Sequence, residues 1–262
     1  MEHSFGICNL SVVPMRAEPS DRSELTNQLL FGDRLRVVNK ENNWTLVQSV
    51  YDNYMGWIDF KQYAPVTLEE FINWEDHSFV TGIHGSFPLD KTSAGQKLAL
   101  VPGSSIPVSP GAAFSINNDQ YLAPAGLLVP GQANFKSEIA QTARFYLNAP
   151  YLWGGRSPYG IDCSGFCQVV FKLFGIPLKR DAAQQALQGE TVHFLPEATA
   201  GDLAFFDNED GKIIHVGILL DQSTLIHASG RVKIDAIDDQ GIYSDELRRY
   251  THKLRIIRRF VS

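Results

Sequence analysis

Cysteine is scarce in this chain, with three residues among 262. Three cannot close a disulfide framework, and Cys8, Cys163 and Cys167 lack the paired spacing of a metal site, so neither a structural metal nor a stapled secreted scaffold is expected. A basic excess is also missing: 23 Lys and Arg face 29 Asp and Glu, for a net charge of −6. That balance argues against nucleic acid and against an acidic membrane surface as partners. No apolar run approaches the length of a membrane span. The stretch from Met1 to Met15 has neither the early Lys or Arg nor the long apolar core of a secretory signal. Together these absences lead to the expectation of a cytoplasmic protein in a reducing compartment.

What is present is the composition of an ordinary globular protein, 44% hydrophobic and 20% charged, and the length suffices for two or three small domains. The one basic cluster, Arg248-Arg249 and Arg255 to Arg259, is interleaved with Leu254, Ile256, Ile257 and Phe260. That alternation reads as a half-exposed strand.

The first half of the chain is patterned as strands and turns. Arg34–Val38, Trp44–Val50 and Gly56–Ile58 have strand character, and Asn42-Asn43 and Asp52-Asn53 supply the turns between them. Short strands at this spacing suggest a small, strongly bent barrel. From Pro65 to about Pro130 glycine, proline and serine increase, yet Lys97–Val101, Ser105–Val108 and Leu127–Val129 remain strand-like. A structureless segment of that length is improbable in a compact protein. The pattern changes near Asn134. Ile139, Ala140, Ala143, Phe145, Tyr146 and Leu147 fall at helical spacing, and Asn148-Ala149-Pro150 ends that helix. A glycine-rich loop, Tyr151 to Gly165, leads into the apolar segment Phe166 to Phe174, which Gly175 and Pro177 stop. A short helix over Asp181–Leu187 follows. Strands are then expected at Asp202–Phe206, Ile213–Leu220, Thr224–Ala228, Arg231–Ile234 and Leu254–Val261. Helices followed by antiparallel strands indicate an α+β domain.

The chemistry concentrates in that domain. Cys163 stands at the mouth of the apolar helix, where unpaired N–H groups and a partial positive charge would favour a thiolate and support an oxyanion. A thiolate nucleophile needs an imidazole to take its proton and a third polar group to orient that imidazole. His215 lies in an alternating apolar segment, and His227 lies on the strand expected next to it. Pairing through the turn at Asp221–Ser223 would bring both to one face. The register that does so is not fixed by the sequence.

Two resemblances sharpen this reading. Leu30-Phe31-Gly32-Asp33, Asn43-Trp44 and Tyr54-Met55-Gly56-Trp57-Ile58 resemble the bacterial SH3-like module over about Ser11 to Ala64. Pro150-Tyr151-Leu152-Trp153-Gly154-Gly155, Asp162-Cys163-Ser164-Gly165-Phe166, Gly201-Asp202-Leu203-Ala204-Phe205-Phe206, His215-Val216-Gly217-Ile218 and Ile226-His227-Ala228-Ser229 resemble the NlpC/p60 family of cell-wall peptidases. The resemblance implies a papain-like α+β catalytic domain over 132–262. Before it stand a first SH3-like domain over 1–64 and a second, degenerate one over 65–131. It implies Cys163 as nucleophile, His215 as general base and later acid, His227 as the orienting residue, and Tyr151 beside the nucleophile at the oxyanion site.

The domain order resembles the branch of γ-D-glutamyl-L-diamino acid endopeptidases that recycle murein peptides. This implies cleavage after D-Glu in L-Ala-γ-D-Glu-diamino acid tripeptides and tetrapeptides that keep a free L-Ala amine. Asp162, Ser164 and Asp181 are then expected to bind substrate, with Tyr54 and Glu24 contributed by the first SH3-like domain and Asp33 a nearby competitor of Glu24. An ammonium group entering a partly dry pocket must be paired, and each charge-assisted hydrogen bond would contribute roughly 1.5–3 kcal/mol. No cofactor and no metal are implied, and a monomer is expected. Two alternatives stay open: a cysteine amidase of other specificity on the same fold, and a non-catalytic wall-binding protein.

Overall fold

The computed structural model describes residues 4–74, 79–83 and 87–261. The chain divides into two compact units, one of Met1–Pro130 with Gly154–Ser157, the other of Gly131–Trp153 with Pro158–Ser262.

In the first unit, β1 (Phe5–Ile7), β2 (Val12–Arg16), β3 (Leu25–Leu30), β4 (Arg34–Glu41), β5 (Trp44–Ser49), β6 (Met55–Asp59) and β7 (Ala64–Val66) form one antiparallel sheet. Its order is β3-β2-β6-β5-β4-β1-β7. Burial alternates along β5, so that Thr45, Val47 and Ser49 face inward, as a period of two requires. A register shift between Val37 and Asn39 interrupts the β4–β5 ladder, and a bulge of this kind bends the strand that carries it. The turn residues Asn42 and Asn53 take left-handed φ values of 51° and 63°, a region that asparagine tolerates better than most residues. Cys8, Val13, Met15, Leu29, Leu35, Val47 and Ile58 fill the interior of the sheet.

Helix α1 (Leu68–Asn73) follows, opened by a capping box between Thr67 and Glu70. Then come β8 (Phe79–Thr81), β9 (Phe87–Lys91), β10 (Gln96–Leu100), β11 (Ser105–Ile106), β12 (Ala113–Ile116), β13 (Asp119–Leu122) and β14 (Leu127–Leu128). They make two small antiparallel sheets, β10-β9-β13-β12 and β11-β8-β14. The boundary expected after residue 64 falls inside β7, and a single core cluster joins Phe31 and Val66 to Phe71, Trp74, Leu89 and Tyr121. Gly32 marks a close approach within this unit, since a Cβ there would lie 1.9 Å from the carbonyl oxygen of Ser105.

The first unit also houses the short strand β15 (Arg156–Ser157). The Arg156 side chain is fully buried. Its backbone N–H donates to Gln28 Oε1 at 2.7 Å, and its guanidinium reaches the Gln28 carbonyl at 2.7 Å and Asp33 Oδ2 at 3.2 Å.

The second unit begins with α2 (Phe135–Arg144) and continues through β16 (Gly160–Ile161), α3 (Cys163–Lys172) and α4 (Ala182–Gln185). The strands β17 (Glu190–Val192), β18 (Leu203–Asp207), β19 (Ile213–Leu219), β20 (Thr224–Ser229), β21 (Arg231–Asp238), β22 (Gly241–Ser244) and β23 (Arg249–Arg259) complete it. Their order is β17-β23-β18-β19-β20-β21-β22, and β22 also pairs with β23, so the sheet curls back on itself. Every residue of α3 is buried, the polar Ser164, Gln168 and Lys172 among them, and Gln168 meets its burial by donating to the Leu178 carbonyl at 3.1 Å. Phe135 ties α2 to α3 through edge contacts with Phe171 and Phe174, at centroid distances of 5.4 and 5.2 Å. With α3 packed against β19 and β20, the helix start and the histidine strands come together.

Candidate active site

Cys163 is the first residue of α3, and Asp162 is its N-cap. The Asp162 side chain accepts the Gly165 N–H at 2.6 Å, which satisfies one of the donors a helix start leaves open. The same carboxylate receives both terminal nitrogens of Arg180, at 3.0 and 2.5 Å. Ser164 Oγ closes the group, donating to Asp162 at 3.3 Å and accepting from Arg180 at 2.9 Å. Arg180 is only 1% exposed, so the couple is dry and its fork geometry fixes both partners. Asp162 and Ser164, expected at the substrate, are thus engaged in building the start of the helix that opens with Cys163. Gln185 donates to the carbonyls of Ser164 and Lys179, at 3.0 and 2.8 Å, and so holds the Lys179–Asp181 segment beside that helix start. Asp181 is half-buried, and its carbonyl accepts the N–H groups of Gln184 and Gln185.

The register left open by the sequence is Ile218 opposite Ile226 and Leu219 opposite Leu225. Continued by one pair, it sets Gly217 against His227, with His215 diagonal to it on the same face. A side chain at Gly217 would not fit: its Cβ would stand 2.7 Å from Leu225 Cδ1 and 3.0 Å from His227 Cβ. That gap lets the His227 imidazole lean toward His215. His215 Nε2 and His227 Nδ1 are 2.8 Å apart. Next along the line, His227 Nε2 is 3.0 Å from Asp235 Oδ2, which also receives Lys233 Nζ at 2.9 Å. His227 pairs with Lys233 across β20 and β21, so Asp235, two residues on, shares its face.

Burial sets the protonation of the working groups. It pushes the Cys163 thiol up to about 12, reinforced by the charge of Asp162 and opposed by the N–H of Val216, by Arg180 and by the N–H of Ser164. The expected lowering at the helix start is therefore outweighed by desolvation. Burial also holds His215 well below its ordinary value, helped by His227, His252 and Lys233. His227 is lowered as well, chiefly by burial, against the pull of Asp235. The resting pair is thus a neutral thiol and a neutral imidazole, with the Val216 N–H, next in sequence to His215, directed at the sulfur. Such a site attacks an electrophile by moving the proton from sulfur to imidazole as the new bond forms.

Tyr151 is bridged to Ile161, immediately before the cap residue. Burial, Cys163 and Asp162 raise its phenol to about 12, which keeps it protonated and able to donate a hydrogen bond. Glu24 and Tyr54 belong to the first unit. Glu24 is exposed just before β3, and Tyr54 is half-buried against the sheet core. Asp33, its competitor in sequence, accepts the Leu30 N–H at 2.9 Å and pairs with Arg156.

Sequence reasoning passed over four residues of this site. Arg180 stood beside the singled-out Asp181 without being noticed. Lys233 and Asp235 occupy alternate positions of one strand between Val232, Ile234 and Ile237, a pattern in which inward charges are a signal. His252 stacks on His215, with centroids 4.2 Å apart and planes at 24°. Register shifts between Phe205 and Phe206 and between Phe206 and Asp207 re-aim the strands flanking β18, and bulges have this effect beside active sites. Among the described residues, no group of three or more His, Cys, Asp or Glu is arranged to hold a metal ion, and no helix is long and apolar enough to cross a membrane.

Comparison with known proteins adds to this geometry. The NlpC/P60 family profile matches residues 148–251, and the bacterial dipeptidyl-peptidase SH3 domain profile matches residues 15–62. The γ-D-glutamyl-L-lysine dipeptidyl-peptidase of Bacillus subtilis (strain 168) is 44% identical over 102 residues, which are 38% of this chain and 34% of that protein. Dipeptidyl-peptidase 6 of Lysinibacillus sphaericus is 28% identical over 253 residues, 86% of this chain and 88% of that protein. The crystal structure of an NlpC/P60 family protein from Bacillus cereus ATCC 10987 aligns with a TM-score of 0.82, over 99% of this chain and 100% of that one, at 20% identity. That last likeness is one of fold.

Proposed function

We propose that this chain, which carries an NlpC/P60 cysteine-peptidase domain behind a bacterial SH3 domain, hydrolyses the γ-D-Glu–diamino acid bond of short murein peptides with a free N-terminal L-Ala. Cys163 attacks the γ-carbonyl carbon while its proton passes to His215. The developing oxyanion is met by the Cys163 backbone N–H and the Tyr151 hydroxyl. His215 then returns the proton to the departing amine, and water, deprotonated by the same imidazole, hydrolyses the thioester to release L-Ala-D-Glu. Asp181 receives the substrate ammonium, with Glu24 and Tyr54 of the first unit as further acceptors. Asp162 and Ser164 bear on the substrate through the Arg180 couple that shapes the helix start. The reading is that of a recycling enzyme acting on freed peptides in the cytoplasm.

One observation carries it: a buried cysteine at a helix start beside two imidazoles 2.8 Å apart, an assembly that a binding module would not require. The relatives named as dipeptidyl-peptidases support the substrate class. The test compares L-Ala-γ-D-Glu-L-Lys and L-Ala-γ-D-Glu-diaminopimelate peptides with their N-acetylated forms. Turnover of the free peptides is expected to exceed that of the acetylated ones by about ten-thousandfold or more, the scale at which a site's unpaired polar groups reject a substrate. Equal turnover would remove the amine pocket, and activity surviving in Cys163→Ala would remove the nucleophile. Unchanged kinetics in Glu24→Gln and Tyr54→Phe would take the first unit out of recognition.

A further inference from the structure

We infer that Asp235 is a positioning residue of this site, because its carboxylate ends the hydrogen-bonded line from His215 through His227 and fixes which nitrogen of each ring carries the proton. The inference rests on the proposed roles of Cys163 and His215. An ionised carboxylate can only accept. Asp235 Oδ2, 3.0 Å from His227 Nε2, therefore requires Nε2–H on His227, which leaves His227 Nδ1 bare. A bare Nδ1 at 2.8 Å from His215 Nε2 requires Nε2–H on His215. Its Nδ1 is then the unprotonated nitrogen, the one able to take a proton from sulfur. The choice made at Asp235 is transmitted through two rings, and nothing else on the line is restricted to accepting.

The surroundings keep Asp235 in that role. Its side chain is 7% exposed, and that of His227 is 1% exposed, so water does not compete for either group. Burial works to raise the Asp235 carboxyl, but hydrogen bonds from His227 and Lys233 hold it below its ordinary value. The charged and titratable groups around it are His227 on β20, Lys233 on its own strand, and Glu246, whose carboxylate lies 3.8 Å from Lys233. His215 on β19 and His252 on β23 complete the cluster. Lys233 supplies the compensating positive charge, so the imidazoles can remain neutral.

Asp235→Asn in a Lys233→Met background tests the inference, because without the ammonium that shares Oδ2 with His227 the Asn amide can donate to His227 Nε2 and turn the whole line around. Nitrogen-15 spectra of the histidine rings in the free protein at neutral pH are expected to show Nε2–H on His227 and His215 in the wild type and in Lys233→Met, and Nδ1–H on both in the double variant. The double variant should lose about a hundredfold to ten-thousandfold in kcat relative to Lys233→Met with KM changed less than threefold, the scale of a wrong tautomer in a comparable triad, and Asp235→Glu in the same background should recover most of the loss. Nδ1–H on His227 in the wild type overturns the inference, as does unchanged kcat in the double variant. The ring spectra need no substrate, so they judge Asp235 even where the peptide reading fails. Activity in Cys163→Ala judges the nucleophile alone. Should the double variant not fold, the wild-type spectrum still decides.

Discussion

Two buried acid–base couples flank Cys163 and the histidine line in the second unit, and they are built differently. At the start of α3, Arg180 grips Asp162 with two nitrogens and reaches Ser164 as well. At the end of the histidine line, Lys233 meets Asp235 with a single ammonium and approaches Glu246. Arginine offers a rigid fork that dictates geometry, whereas lysine offers a mobile point charge. The first couple holds atoms in place. The second holds a charge state, and the histidines read it.

The sharpest way to break this contrast is Arg180→Met. It leaves the Asp162 carboxylate buried without its partner, and removing one member of a buried pair costs about 3–5 kcal/mol. A marked fall in melting temperature with near-complete loss of turnover is expected, measured by calorimetry and peptide cleavage. A variant that melted like the wild type would mean that the fork carries little.

Lys233→Met is expected to do less to stability and more to pH dependence. Lys233 helps to hold Asp235 and His215 below their ordinary values. Its loss moves both upward, so His215 becomes protonated at a higher pH. The acid limb of kcat/KM should move to higher pH, with less than about tenfold loss of activity at pH 7, a factor that corresponds to moving the limb by about one pH unit. An unmoved limb would separate Lys233 from the histidine line.

The mildest perturbation is pH itself. With the thiol raised to about 12, alkylation of Cys163 by iodoacetamide should be slow at pH 7 and rise about tenfold per pH unit through the alkaline range, since only thiolate reacts. Because His215 is lowered, kcat/KM should hold its plateau as pH falls past 6.5 and decline only below that. Fast alkylation at neutral pH, level between two limbs, would instead indicate a preformed thiolate–imidazolium pair.

Much of this was legible in the sequence where a period existed to be read. The apolar helix after Cys163 and the strands bearing His215 and His227 lie where alternation and stop signals put them. Strand β3 was hidden because Asn27 and Gln28 are buried in it, and Gln28 is turned to polar work on Arg156. Short β22 offers only four residues of pattern. Arg180 serves Asp162 from 18 residues away, a distance over which no local periodicity runs. The thiol was misjudged because the helix start is visible in sequence while desolvation is a property of the folded surroundings.

Gly154–Ser157 carries a consequence for how this protein can be taken apart. Because those four residues belong to the first unit, the chain passes between the two units three times: after Pro130, after Trp153 and after Ser157. No single cut separates them. A fragment beginning at Gly131 would still contain Arg156 but neither Gln28 nor Asp33, and so would present a guanidinium made for burial with its sockets gone. The peptidase half is therefore not a detachable cassette. Any chimera that exchanges the leading module must bring matching sockets for Arg156, seven residues upstream of Cys163.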